Sequence, residues 1–347
     1  MYKRQLLESA KYPCRNVSEN IADLCAHIAA NVTGVSELKK MVTQFSLPVV
    51  QAYMQHVQDN AEASVREVLG VLKDCHYRNV MDDGSAIEVT IKVDQKNKSA
   101  VVDFTGTSAQ HAGNYNAPAA VCRAAVLYVF RTLVDHDIPL NEGCLKPLTL
   151  IIPEKSMINP QYPAAVVAGN TEVSQTITDT LYAALGVIAG AQGTMNNTLY
   201  GNENFQNYDT VCGGSGAGAG FHGTSAVHTH MTNTRLTDPE VLENRFPVRV
   251  QEFSIRKGSG GAGQYHGGDG IIRKLEFRED ATLTVLSSHR KTQPLGAGGG
   301  NNGMTGENSI IRADGSIEQL QGNDSAQMGI GDTFILKTPG GGGFGQE

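Results

Sequence analysis

Residues 86–107 read AIEVTIKVDQKNKSAVVDFTGT, and this stretch decides the fold class. In AIEVTIKVD (86–94) apolar and polar side chains alternate with period two, the signature of a strand with one buried face. QKNK is a polar turn, and SAVVDFTGT (99–107) returns, so a β-hairpin is expected. The residues before this hairpin have helical periodicity, and those after it mix helices, strands and glycine turns. The expectation is an α+β chain: α-rich over 1–82, mixed over 83–197 and β-rich over 198–347. No polar linker separates these parts, so they are read as one region.

On the N-terminal side, Ile21, Leu24, Cys25 and Ile28 carry helical spacing, with Ser18 as expected N-cap and Gly34 as expected stop. A longer amphipathic helix over 48–73 places Val49, Tyr53, His56 and Val57 on one face, with Pro48 in its first turn. Asp82-Asp83-Gly84 is expected to end the helical region as a solvated acidic turn. On the C-terminal side, 117–135 is apolar nearly all round, as a buried helix would be. Residues 145–154 read as a strand and 172–190 as a helix with a small-residue face. From about 198 the expected strands are TLYG, FQNYDTV, VRVQEFSIR, GIIRKLEF, TLTVLSS, SIIRAD and TFILKT.

Composition narrows the function. Of 39 glycines, 10 fall in residues 1–200 and 29 in 201–347, which favours short strands and turns in the second part. With 28 Lys and Arg against 35 Asp and Glu, the formal charge is −7, so general nucleic-acid binding is not expected. No apolar run reaches the roughly 20 residues of a membrane helix. Six scattered cysteines, none in a C-x-x-C pair, read as buried small hydrophobes in a reducing compartment. A cytoplasmic location is expected.

Four G-x-G-x-x-G strings (218–223, 258–263, 298–303, 340–345) are not followed by helical patterns, so a dinucleotide fold is not expected. There is no Gly-Lys pair for a P-loop and no G-x-S-x-G elbow. The densest polar stretch is HGTSAVHTHMTNTRLTDPE (222–240). His228 and His230 would share a face on a strand, with Asn233, Arg235 and Asp238 close downstream. The stretch fits a partial metal site, a site that orients a substrate carboxylate through Arg235, or a hydrogen-bonded polar turn. Asn170 and Glu172 in Gly169-Asn170-Thr171-Glu172 precede a helix, where Asn170 or Thr171 can act as cap or the free N–H groups can bind an anion. Asn196 and Asn197 follow that helix and offer amides to a ligand or to a turn. The remaining histidines, His289 among them, are isolated and receive no role.

The strings GNTEVSQ (169–175), AQGTMNN (191–197), VHTHMTNTRLTDPEVLENRFPV (227–248), SGGAGQYHGGDGIIRK (259–274) and TPGGGGFG (338–345) resemble the hydantoinase B/oxoprolinase family, and most closely the C-terminal part of its 5-oxoprolinase members. DFTGTS (103–108), GNYNAP (113–118) and DIPLNEGCLKPL (137–148) agree, and the resemblance spans about residues 15–345. It implies ATP-dependent opening of the lactam of 5-oxo-L-proline to L-glutamate. ATP would be bound by a hydantoinase A-type, actin-like ATPase half, fused or separate, and the assembly would be oligomeric. The expected catalytic residues are His228, His230, Asn233, Arg235 and Asp238; the expected substrate contacts are Asn170, Glu172, Asn196 and Asn197. Family members carry a further N-terminal segment with His and Asp thought to bind a divalent metal such as Mg or Mn. This chain is expected to be an N-terminally truncated fragment that lacks it and is inactive alone. Alternatives are an N-methylhydantoin hydrolase, an acetone or acetophenone carboxylase-type subunit, and a non-catalytic scaffold docking the ATPase half.

Overall fold

The structure, a computed structural model, describes residues 2–9, 13–14 and 16–346. The chain divides into two compact units, Met1–Asn60 and Ala61–Glu347. The first holds α1 (Tyr2–Glu8), α2 (Val17–Phe45) and the start of α3 (Leu47–Leu69). Helix α2 is capped by Asn16, whose side chain accepts from the Glu19 N–H at 3.2 Å, not by Ser18. It also runs through Gly34 without stopping, because the residues on both sides are adequate helix formers and one glycine costs only about 1 kcal/mol. Its apolar residues Ile28, Val32, Val35 and Met41 are exposed, as are Val49, Tyr53 and Val57 of α3.

In the second unit, β1 (Cys75–Val80), β2 (Ala86–Asp94), β3 (Ser99–Asp103) and β4 (Leu148–Ile151) form one sheet in that order. The expected β2–β3 hairpin is present and antiparallel; β3 and β4 are parallel, joined by a crossover containing α4 (Ala119–Thr132). The expected helical region stops short of 82, because His76, Arg78 and Val80 alternate with half-buried residues in β1. Asp82-Asp83-Gly84 is therefore a hairpin turn between β1 and β2. Asp82 is not solvated: its carboxylate accepts from the N–H groups of Arg290, Lys291 and Thr292 at 2.7–3.0 Å. These bonds outweigh the burial cost and hold its pKa below the ordinary carboxylate value.

Helix α5 (Ser174–Leu185) packs with α4 over β1 and β2. Val173, Ile177 and Leu181 join Val126, Phe130, Ile87, Val89 and Phe104 in the first core. The buried face of α5 is rich in hydroxyls, and the chain satisfies them locally. Thr176, Thr178 and Thr180 each donate to the carbonyl four residues back, at 2.6–3.1 Å. Gly186, left-handed at φ 68°, ends the helix before its expected limit at 190. Helix α4 buries one face rather than all round: Cys122, Val126, Val129 and Phe130 are buried, whereas Arg123 and Ala124 are exposed.

Two further sheets share a second core. One has the order β11 (Ile317–Leu320), β10 (Glu307–Ile311), β13 (Thr333–Lys337), β8 (Gly270–Phe277), β7 (Val248–Arg256). The other runs β12 (Asn323–Met328), β9 (Ala281–Leu286), β5 (Asn197–Gly201), β6 (Gln206–Asp209). Ile271, Leu275 and Phe277 of β8 meet Leu283 and Val285 of β9, each strand alternating buried and half-buried positions. Inside it Arg273 pairs with Asp209 at 3.1 Å, both almost fully buried. The short α6 (Pro239–Arg245) adds Leu242.

The glycine strings form none of these strands. They run against one another and bond backbone to backbone: Gly214 N–H to Pro339 O, Gly341 N–H to Gly268 O, Gly261 N–H to Gly341 O and Gly342 N–H to Gly190 O, at 2.8–3.0 Å. Segments this close leave no room for a side chain. A Cβ on Gly341 would fall 1.9 Å from Ser215 O, and one on Gly214 1.9 Å from Gly268 O. Gly341→Ala is therefore expected to destabilise the chain by about 3 kcal/mol in urea denaturation, the upper end for an overpacked site. Gly34→Ala, with open space around its Cβ, is the control and is expected to stabilise by roughly 1 kcal/mol.

Candidate functional site

The site is built on α5 and the residues before it. Gly169–Val173 form a π-helical turn leading into α5, and no side chain caps α5, so neither Asn170 nor Thr171 plays the expected capping role. The wider turn rotates Glu172 inward and leaves Asn170 exposed. Glu172 Oε1 accepts from Met195 N–H at 3.1 Å and Asn197 Nδ2 at 2.8 Å, while Oε2 has no hydrogen-bond partner. Complete burial pushes its pKa up to about 7; the nearby hydroxyls of Ser288 and Thr194, the Met195 N–H and Arg290 pull the other way.

Asn196 and Asn197 join the same buried network. Asn196 Oδ1 accepts from Arg290 Nη2 at 2.8 Å, and its Nδ2 donates to Gln192 and to Val211 O. Asn197 Oδ1 accepts from Tyr208 Oη at 2.7 Å, and its Nδ2 donates to Leu286 O as well as to Glu172. Both amides are thus engaged by protein groups. Arg290 is half-buried, and its desolvation lowers its pKa to about 10.

The network gives Glu172 a pH signature. A carboxyl whose pKa rises on folding binds more protons in the folded chain, so stability is lost as pH rises from about 4.5 to about 7. Glu172→Gln keeps the accepting oxygen and removes the titration. It is expected to be more stable than the parent at pH 8 by on the order of 3 kcal/mol relative to the difference at pH 4. Denaturant midpoints at the two pH values measure this.

One and two turns further along α5, Gln175, Asp179 and Tyr182 face the loop 227–233. Gln175 Nε2 donates to Thr229 O at 3.0 Å and Thr232 Oγ1 at 2.9 Å, pinning the loop. The loop is not a strand, so His228 and His230 do not share a strand face. His230 is left-handed at φ 47°, a strained conformation for a non-glycine residue, and this turns its ring toward Asp179 while His228 takes another direction. His230 Nε2 lies 3.3 Å from Asp179 Oδ1, the two side chains 10% and 7% exposed. The ring contacts Tyr182, with centroids 5.2 Å apart, and its Nδ1 lies 3.4 Å from the Tyr128 hydroxyl. His228 Nδ1 is unpartnered, and burial lowers its pKa.

Asn233 and Arg235 are exposed. Asp238 caps α6, accepting from the Glu240 N–H at 2.9 Å. Of the five expected catalytic residues, His230 alone meets a buried carboxylate.

Asp179, absent from the sequence-based candidates, is the hub. Its second oxygen, Oδ2, is unpartnered and looks toward Gly193. On that side lies a cavity of about 310 Å³ lined by Tyr77, Asn79, Asp179, Ala191, His289 and the 294–298 loop. A second cavity, about 440 Å³, touches His230 and Asn233 beside Leu127, Tyr128 and Leu145. Among the described residues, eight of the ten buried side chains with an unpartnered polar atom belong to 171–179, Gln192 or 228–230. Folded chains rarely tolerate such atoms, so their concentration here marks a place built for something other than stability. The described residues contain no group of three or more His, Cys, Asp or Glu able to hold a metal ion, so they do not fit a resident divalent metal.

The sequence matches the hydantoinase B/oxoprolinase family over residues 2–347. The chain belongs to that family. It is 43% identical over 342 residues to a 5-oxoprolinase of Dictyostelium discoideum, covering 96% of this chain and 27% of that protein. It is 44% identical over 349 residues to 5-oxoprolinase 1 of Arabidopsis thaliana, covering 96% and 28%. The chain therefore spans little more than a quarter of these relatives. The ATP-dependent caprolactamase of Pseudomonas jessenii shares the fold, with a TM-score of 0.84 at 23% identity over 98% of this chain and 63% of that one.

Proposed function

We propose that this chain supplies the ring-opening half of an ATP-dependent 5-oxoprolinase, converting 5-oxo-L-proline to L-glutamate in the cytoplasm together with an actin-like ATPase half. The observation that carries the reading is the buried His230–Asp179 pair beside a cavity of lactam size. The similarity to two 5-oxoprolinases over 96% of the chain supports the choice of substrate.

A five-membered lactam resists water, and phosphorylation of its carbonyl oxygen by ATP makes the carbon electrophilic. Water then adds to that carbon, the C–N bond breaks with its electron pair going to nitrogen, and nitrogen takes a proton. The acyl phosphate that results releases phosphate to a second water. The chain must position water, move protons and exclude bulk solvent. In this reading Asp179 holds the polar end of the site and His230 packs against it and fixes it. Glu172, Asn196 and Asn197 form a buried frame behind the cavity, and Asn170 is exposed at the entry to α5. His228, Asn233 and Arg235 stand on the loop that carries His230, outside the lining of this cavity, and Asp238 anchors the loop's end through α6. ATP belongs to the ATPase half.

The test is glutamate release from 5-oxo-L-proline and ATP by the complete enzyme containing this chain. ATP-dependent glutamate supports the reading. No glutamate from a folded complex that instead opens a hydantoin or another lactam moves the substrate and keeps the site. No turnover of any cyclic amide rejects the enzyme reading in favour of a scaffold.

A further inference from the structure

His289 lies in a loop after β9, far in sequence from the polar stretch, and the ring-opening reading as it stands gives it no task. Its geometry does. The residue is left-handed at φ 54°, so the loop is held in a strained turn that directs the ring inward. Nδ1 lies 2.9 Å from the carbonyl oxygen of Thr292, and a carbonyl only accepts. Nδ1 therefore carries the proton, and in the neutral ring Nε2 holds the free lone pair. The turn itself is fixed by Asp82, which binds the N–H groups of Arg290, Lys291 and Thr292.

The Cδ2–Nε2 edge of the ring packs against Gly193, on the side where Asp179 Oδ2 also approaches it. A Cβ on Gly193 would fall 2.3 Å from His289 Nε2 and 3.1 Å from Asp179 Oδ2. Glycine at 193 thus lets the imidazole edge lie against the backbone, next to the unpartnered oxygen of Asp179. Both residues line the same cavity of about 310 Å³. His230 is placed differently. Its Nε2 faces Asp179 Oδ1, on the far side of the carboxylate, and its Nδ1 faces the Tyr128 hydroxyl. His230 is not among the residues lining that cavity.

Resting on the ring-opening reading, we propose that His289 is the general base of the reaction. Its Nε2 takes a proton from a water held between it and Asp179 Oδ2 as the water oxygen bonds to the ATP-activated carbonyl carbon. It returns that proton to the ring nitrogen as the C–N bond breaks. His230 is a positioning residue that fixes Asp179 from behind. The task assigned to His289 needs a free imidazole nitrogen and a carboxylate to orient the water; both line this cavity, and Gly193 lets the imidazole reach its place.

The test uses the complete enzyme with 5-oxo-L-proline and ATP. His289→Ala is expected to lower kcat for glutamate release by about 10²–10⁴-fold with KM changed less than threefold, as for loss of a general base. Added free imidazole is expected to restore part of the rate, which it would not do for a residue that only holds the loop. Gly193→Ala, whose methyl would displace the His289 ring, is expected to lose activity without imidazole rescue. An unchanged thermal midpoint for His289→Ala shows that the loop still folds; if it drops, His289→Gln, which keeps a donor to Thr292 O, replaces it in the same assay. A folded His289 variant that releases glutamate at the parent rate, or one that loses activity without any imidazole response, overturns the proposal. Failure of the parent enzyme to open any cyclic amide is seen without a variant and overturns the reading beneath it.

Discussion

His230→Ala and Asp179→Asn are each expected to reduce ATP-dependent glutamate release by about 10²–10⁴-fold, with little change in the folding midpoint. The two side chains form a unit, with Nε2 3.3 Å from Oδ1 and both ring and carboxylate nearly sealed from solvent. Either change breaks the same contact, so the double variant should be little worse than the singles. His230 also occupies a left-handed conformation that costs on the order of 1–3 kcal/mol, so its replacement by glycine should stabilise the fold while removing activity. Activity and stability moving in opposite directions would separate a functional from a structural role. Steady-state assays with urea denaturation of the same variants measure both.

The second large effect is on folding. Asp209→Ala is expected to destabilise the second unit by about 3–5 kcal/mol, because it strands Arg273 inside the core between two sheets. Arg273 Nη1 already lacks a partner, so no spare acceptor is at hand to rescue the guanidinium. The Thr237 hydroxyl, which donates to Asp209 Oδ1 at 2.8 Å, loses its acceptor too. Replacing the pair together, Asp209→Leu with Arg273→Met, should recover most of the loss, since an apolar pair has no desolvation penalty to offset. Urea midpoints of the three variants test this, and equal loss in the single and double variants would show that the pair sets the packing rather than merely tolerating burial.

Much of the fold was legible because period-two alternation survives wherever one strand face is buried. The β2–β3 hairpin and strands β7, β8, β9, β10 and β13 follow it. Strands β11 and β12 escape this logic. β12 is NDSAQM, and only Ala326 and Met328 are buried, so pairing with β9 rather than its own hydrophobicity makes it a strand. The α5 helix was legible, but its π-helical entry was not, because Gly169-Asn170-Thr171-Glu172 reads equally well as a cap.

The site was legible only in part. Density of polar residues pointed to 222–240 and to Glu172, Asn196 and Asn197. It could not show that the two asparagines spend their amides on Arg290, Glu172 and Tyr208. Nor could it find Asp179 and His289. Asp179 looks like one more polar residue of a threonine-rich helix, and His289 follows a strand as an ordinary loop histidine. They meet only because α5 and the loop after β9 close around Gly193, a contact with no local spacing to betray it. The signal that was available is the AQGTMNN string itself, whose glycine sits at φ 62° between them.

The most direct measurement is a crystal structure of the complete enzyme with 5-oxo-L-proline and a non-hydrolysable ATP analogue. The lactam is expected in the cavity beside Tyr77 and Asn79, its carbonyl carbon facing the space between Asp179 Oδ2 and His289 Nε2. A lactam bound elsewhere, with Asp179 and His289 away from it, would contradict the assignment of this cavity as the place of ring opening.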